Sequence, residues 1–288
     1  MLKSRLCIAF FAFAVGCAPA QKPLTDYVNP MLGTATLWDS VDLGFKPTKR
    51  TWGAEVFPGS SLPNAMVQVS PVTKFHSGAG YQYEDSVIYG FTHTNKGHWN
   101  LCHIPLLPVT GTPTPGDYCS PFSHERESAA PGYYQVFLDR YGVDAQLSST
   151  LRCAFHKYTY PAGAAASLLA DLQRSNEHVR AWDIRKEGDN VFAGWQQTGE
   201  KMYFYAVANR PVTGIEPVVE GDREVRIVRF GEGDGALELR IGFSFVSEKN
   251  ARENLEAEML GKSFAEVRSE ATATWNDLLG RIRVEGGT

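Results

Sequence analysis

From Gly132 onward the chain alternates apolar and polar positions at a period of two. The runs YYQVFLD (133–139), VDAQLSST (143–150), RCAFHKYTY (152–160) and ASLLADL (166–172) are separated by turn signals such as Tyr141-Gly142 and Pro161-Ala162-Gly163. The series continues through VFAGWQQT (191–198), KMYFYAVAN (201–209), EVRIVRF (224–230) and ALELRIGFSFV (236–246), with the Gly231–Gly235 stretch as a hairpin loop. Upstream, AMVQVS (65–70) and VIYGFTHT (87–94) read the same way. Many short strands without intervening helices predict a mainly β fold, an antiparallel β-sandwich.

The period then changes. Asn250–Glu253 has the form of a capping box, predicting a helix to Gly261, and Ser263–Glu266 is a second box. The second helix places Phe264, Val267, Ala271, Trp275 and Leu278 on one face and stops at Gly280. After it, RIRVEGGT is a strand-like run into a Gly-Gly turn, so the reading is a protein cut at a domain junction. The organisation expected is a signal peptide at 1–20, a sandwich domain at 21–247 and a helical linker at 248–288.

The first twenty residues change the picture by fixing the compartment. Lys3 and Arg5 precede an apolar run from Leu6 to Val15, too short to span a bilayer core of ~30 Å as a helix. Two cleavage readings compete. Ala14–Cys17 has the form of a lipobox, making Cys17 a lipidated N-terminus, whereas Ala18-Pro19-Ala20 is a signal-peptidase motif freeing Gln21. Both export the chain, to the periplasm, the outer membrane or the medium. A net charge of −4 and the lack of a long basic run leave nucleic acid no electrostatic foothold. Cys102, Cys119 and Cys153 remain beyond the leader; an odd count excludes a complete disulfide framework, although a Cys102–Cys119 bridge is compatible with export.

The stretch GFTHTNKGHWNLCHIP (90–105) concentrates the candidate chemistry, with three of the seven histidines, His93, His98 and His103. Zinc needs ligands converging on one tetrahedron, and adjacent Cys102 and His103 diverge on an extended chain. Two readings stay open: a loop whose side chains pack locally, or a loop facing a ligand. Asn, Lys, His and Trp together offer several hydrogen-bond donors and one stacking face, as a polyhydroxylated sugar requires.

YVNPMLGT (27–34), FPGSSLPNAMVQVSPVT (57–73) and GAGYQYEDSVIYGFTHT (78–94), in this order, resemble the N-terminal domain of glycoside hydrolase family 92, and the resemblance runs on to TWNDLLGRIRVEGGT at the end. These are exo-acting α-mannosidases. The resemblance implies a supersandwich-like N-terminal domain, a following (α/α)6 barrel, an active site between them, inversion at the anomeric carbon and a calcium ion. It implies that Phe57, Pro58, Gly59, Gly80, Tyr81, His93 and Thr94 sit at the domain interface, facing an α-mannoside-containing glycan. Lys96, His98, Trp99 and His103 join this set from the loop that follows, with Trp99 as a stacking ring and His103 as a hydrogen-bond partner. The chain departs from the family pattern at Lys96–His103 and at Pro63-Asn64-Ala65-Met66.

An inverting glycosidase needs an acid and a base ~6.5–9.5 Å apart. Glu55, Glu84, Asp85 and Asp117 are the carboxylates near the motifs, and Glu84 and Asp85, being adjacent, diverge on a strand. The resemblance implies that acid, base and calcium ligands all come from the barrel, so no catalytic residue and no metal ligand is assigned here. The expectation is a substrate-shaping half, inactive alone, whose partner is its own barrel. The alternative is a stand-alone carbohydrate-binding lipoprotein.

Overall fold

The computed structural model describes residues 22–37, 44–46, 54, 56–96, 99–233 and 235–282. The expected signal peptide at 1–20 with Cys17, and also Glu55 and His98, lie outside the described residues.

Two antiparallel sheets face each other. The first has seven strands in the order Ser60–Ser61, Gln68–Val72, Gly90–Thr92, Leu106–Val109, Ser167–Ala170, Arg223–Phe230, Val212–Glu220. The second has eight, in the order Ala181–Gly188, Val191–Gln197, Lys201–Ala208, Leu237–Ser244, Cys153–Thr159, Val143–Ser149, Tyr133–Leu138, Glu127–Ala130. The period-two alternation places one side of each sheet inward, where Val69, Phe91, Leu106 and Ile227 meet Tyr134, Leu147, Phe204 and Ile241 in one apolar core. Burying each such side chain contributes ~1.5–3 kcal/mol, which drives the two layers together.

Strands absent from the sequence reading include Leu106–Val109, wholly buried in the middle of the first sheet and too uniformly apolar to alternate, and Glu127–Ala130, Ala181–Gly188 and Val212–Glu220, each an outer edge of its sheet. Edge strands bury little, so their sequences carry charges and even Pro217 in place of alternation.

The helices close the fold. Helix α1 spans Glu248–Glu258 and helix α2 spans Phe264–Leu279. The cap of α1 is Ser247, whose hydroxyl accepts from Asn250 N at 3.1 Å, so the expected box at Asn250–Glu253 lies inside the first turn. The second box is present as read: Ser263 Oγ accepts from Glu266 N, and Glu266 Oε2 accepts from Ser263 N at 2.8 Å. Both helices cover the outer face of the second sheet, where Phe264, Val267, Leu255 and Met259 pack on Tyr133, Cys153 and Phe155. At Gly242 a Cβ would stand 2.1 Å from the Ala251 carbonyl oxygen, so only glycine admits α1 this close to its strand. Trp275 of α2 is half-buried, and its indole N–H donates to Ser61 O at 2.7 Å, on the edge of the first sheet. Among the described residues no helix is long and apolar enough to cross a membrane.

Candidate functional site

The histidine-rich stretch folds inward. Its strands Asn95–Lys96 and Trp99–Asn100 form a small hairpin pairing Lys96 with Trp99, and Trp99 is half-buried. Past the hairpin the backbone is contorted: Cys102 and Ile104 hold φ of 53° and 54°, unusual for residues with side chains. Buried amides hold this shape. Asn100 Oδ1 accepts from Cys102 N at 2.8 Å, and Gln196 Oε1 accepts from Ile104 N at 2.8 Å.

His103, between the two, is buried, and both ring nitrogens have partners. Nδ1 lies 2.9 Å from Thr94 Oγ1 and Nε2 lies 3.0 Å from Thr198 Oγ1. Thr198 donates its hydroxyl proton to Glu177 Oε2 at 2.7 Å, so it accepts from His103 Nε2–H. His103 Nδ1 is then the acceptor of the Thr94 hydroxyl. Four side chains thus form one directed chain, Thr94 to His103 to Thr198 to Glu177, which fixes the neutral tautomer. Burial pushes the His103 imidazole down to about 4, against the opposing pull of Glu177. His93 is buried too. Its Nε2 meets His156 Nε2 at 3.0 Å, its ring packs on Phe243, and burial pushes it down to about 3. His93, Thr94 and His103 therefore shape the loop from within.

Gly80 and Gly59 owe their identity to close approach. Gly80 has φ +78°, and a Cβ there would stand 3.0 Å from Asn100 Nδ2 and Cys102 Sγ; one at Gly59 would stand 2.1 Å from Val69 O. Phe57 and Gly59 line an apolar groove of about 330 Å³ against Val28 and Trp275. Cys102, Cys119 and Cys153 are all unbridged, and burial raises the Cys102 thiol far above its ordinary range, the reverse of an activated nucleophile.

Tyr81 is buried and turned inward, where its hydroxyl donates to Glu127 at 2.9 Å. The outward ring is that of Tyr83, two residues on and 40% exposed. His124 stacks on it with ring centroids 3.8 Å apart and planes 2° from parallel. His124 Nδ1 lies 2.5 Å from Glu127 Oε2 and its Nε2 lies 2.7 Å from Tyr83 O. Glu127, its side chain 1% exposed, also accepts from Tyr134 at 2.5 Å. The backbone under Tyr83 is pinned as well: Tyr83 N donates to Thr34 O at 3.2 Å, Glu84 accepts from Thr36 N at 2.6 Å, and Asp85 accepts from the Thr73 hydroxyl at 2.8 Å. Glu84 and Asp85 point to different partners, as their adjacency requires. Asp117 pairs with Arg140, whose hydrogen bond lowers its carboxyl. The sequence reading missed Tyr83, His124, Glu127 and Glu177. A signal existed for Tyr83 alone: on a run turning at Gly80, Tyr81 and Tyr83 compete for the outward position, and the glycine-tight packing at Gly80 draws Tyr81 in.

Calcium takes six to eight oxygen ligands. Among the described residues no group of three or more His, Cys, Asp or Glu side chains converges.

The two-sheet sandwich closed by paired helices can be compared with proteins of known family. Residues 27–254 match the family profile of the glycosyl hydrolase family 92 N-terminal domain, and residues 250–288 match that of the family 92 catalytic domain. The chain belongs to glycosyl hydrolase family 92. A family 92 α-mannosidase from Bacteroides thetaiotaomicron superposes with a TM-score of 0.80 at 25% identity, covering 93% of this chain and 39% of that one. The same α-mannosidase in complex with mannoimidazole gives 0.79 at 25% identity, covering 92% and 38%. An uncharacterized secreted glycosidase of Arthroderma benhamiae is 24% identical, covering 91% of this chain and 38% of its own length. The chain thus spans under two fifths of these relatives.

Proposed function

We propose that the chain is the N-terminal, substrate-shaping half of an exported α-mannosidase-like hydrolase, inverting and calcium-dependent when joined to its (α/α)6 barrel. The observation that carries this reading is the match to a catalytic-domain profile beginning within α1, at residue 250, on a chain whose sandwich matches the N-terminal domain. The same match favours it over a stand-alone binding lipoprotein. The name of the secreted fungal relative supports export, and the mannosidase relatives support mannose-containing glycans as substrate.

In this reading the Tyr83 ring offers a face to a pyranose, and His124 with Glu127 holds that ring in place so that little ordering is lost on binding. Gly80, Phe57, Lys96 and Trp99 shape the surroundings, and Thr94, His93 and His103 set the loop from below. Acid, base and calcium ligands are supplied by the barrel. The test is hydrolysis of aryl α-mannosides and mannobioses by this chain alone and by the protein that includes the barrel. Turnover is expected only from the second, with the β-anomer as first product by NMR and loss of activity in a chelator. Turnover by the 288-residue chain alone, or α-anomer as first product, refutes the reading.

A further inference from the structure

The directed chain from Thr94 ends on Glu177, and Glu177 lines a cavity. The cavity measures about 730 Å³, within the range of small-ligand sites, and is lined by His76, Arg174, Glu177, Arg180, Trp182 and Arg223 among others. No lining residue is shared with the Tyr83, His124 and Glu127 cluster.

We propose that this cavity is a separate binding site for a neutral glycan unit, with Glu177 as its fixed hydrogen-bond acceptor. Glu177 is the one exposed member of the chain, its side chain 39% accessible while His103 is 2%. Its Oε2 is held by Thr198, and Oε1 has no partner among the described residues. Thr94, His103 and Thr198 thus orient a carboxylate whose second oxygen is open to a ligand. Hydrogen bonds in series reinforce one another, which holds the Glu177 carboxylate in one orientation. The donors opposite are equally fixed: Arg223 donates to buried Asp171 at 2.6 Å, and Arg174 donates to the Tyr118 hydroxyl at 3.3 Å while lying over the Phe75, Tyr89 and Tyr118 rings. Half-buried Trp182 is braced by Arg226, 5.3 Å from its ring centroid, and supplies the flat apolar surface a sugar ring needs.

Backbone strain gathers at the same place. His76, on the cavity wall, holds φ +61°, and its N–H donates to Asn176 Oδ1 at 2.5 Å. Cys102 and Ile104, which flank His103, hold the same left-handed conformation. Strained residues persist where surrounding structure enforces them, and they cluster at ligand sites. The charges select the ligand class. The arginines disfavour a metal cation, and Glu177 with Asp222 disfavours an anion, whereas vicinal hydroxyls donate to a carboxylate and accept from a guanidinium at once.

The inference goes beyond the proposed hydrolase and is tested without hydrolysis. Tryptophan fluorescence and NMR titration of the 288-residue chain with methyl α-mannoside, α-linked mannobiose, methyl β-galactoside and inorganic phosphate identify the class. At least one sugar is expected to bind at millimolar concentration, with perturbation of Trp182. Glu177→Gln is expected to weaken it tenfold or more and Thr198→Val severalfold. Unchanged far-UV circular dichroism and melting temperature qualify each variant as folded, and Trp182→Phe provides a second one if Glu177→Gln melts early. No sugar binding up to 50 times the millimolar range (about 50 mM, a Kd weaker than roughly −2 kcal/mol of binding), binding of phosphate alone, or binding indifferent to Glu177 and Trp182 overturns the proposal. None of these outcomes alters whether the barrel-joined protein cleaves α-mannosides, which the turnover assay reads separately.

Discussion

Acid should destabilise this domain well before its carboxylates titrate, because histidines are buried neutral. A histidine whose folded pKa is depressed binds fewer protons folded than unfolded at moderate acidity. The stability it sustains is complete above the unfolded value of ~6.5 and drains away as pH falls from there toward the folded value. For His103 the folded value is about 4 and for His93 about 3. Between pH 7 and 5 each loses about 1.36 kcal/mol per pH unit below 6.5, or about 2 kcal/mol, so the pair loses about 4 kcal/mol. His156, buried beside His93 and lowered by burial and by that neighbour, adds to the loss. Against a typical total of ~5–15 kcal/mol this is a large fraction. Urea unfolding at pH 7, 6 and 5, followed by tryptophan fluorescence, should show the midpoint falling steeply while the m-value holds. His103→Gln should lower stability at pH 7 yet flatten the slope by about 2 kcal/mol across the window. Equal midpoints at pH 7 and 5, or an unchanged slope in His103→Gln, would refute the argument that these imidazoles are held neutral.

Three further outcomes are expected. Trp275→Ala removes a half-buried indole and its hydrogen bond to Ser61, and should cost about 2 kcal/mol, or about 4–8 °C in a reversible melt; an unchanged midpoint would show α2 to be detached. Glu127→Gln leaves Tyr81, Tyr134 and His124 facing an amide with one acceptor oxygen, and should cost about 2–4 kcal/mol by urea titration. In the barrel-joined protein Tyr83→Ala should cut kcat/KM on mannobiose about five- to thirtyfold, matching ~1–2 kcal/mol of lost stacking, while Tyr83→Trp retains activity; wild-type kinetics in Tyr83→Ala would remove that ring from the substrate surface.

Strands that alternate were legible in the sequence, whereas the wholly buried Leu106–Val109, which has no polar side to mark its period, was not. Val143–Ser149 and Lys201–Ala208 alternate because one side of their sheet faces the core and the other is only partly covered by the helices, and Ser263 with Glu266 announces α2 because such residues satisfy the free amides of a helix start. The edge strands Ala181–Gly188 and Val212–Glu220 escaped because an edge has little inward face to encode. The site was less legible for a different reason. His93 and His103 stand out by residue type, but type does not say which way a side chain turns. Their inward orientation follows from left-handed turns at Cys102 and Ile104, which no local glycine signals, from Asn100 in the hairpin itself, and from Asn176 and Gln196, which are brought in from distant segments. Glu177 becomes notable only once Thr198 and His103 stand behind it.

Helix α2 rests along one layer of the sandwich and, through the Trp275 indole, grips the rim of the other at Ser61. It is therefore a cross-brace: the layers cannot slide past one another without breaking that grip or bending the helix. A torque applied to the chain beyond Leu279 is delivered at Ser61, two residues from Gly59 and four from Phe57. Trp275 and Leu279 of the same helix line the groove with Phe57, so a shift of α2 alters the width of that groove.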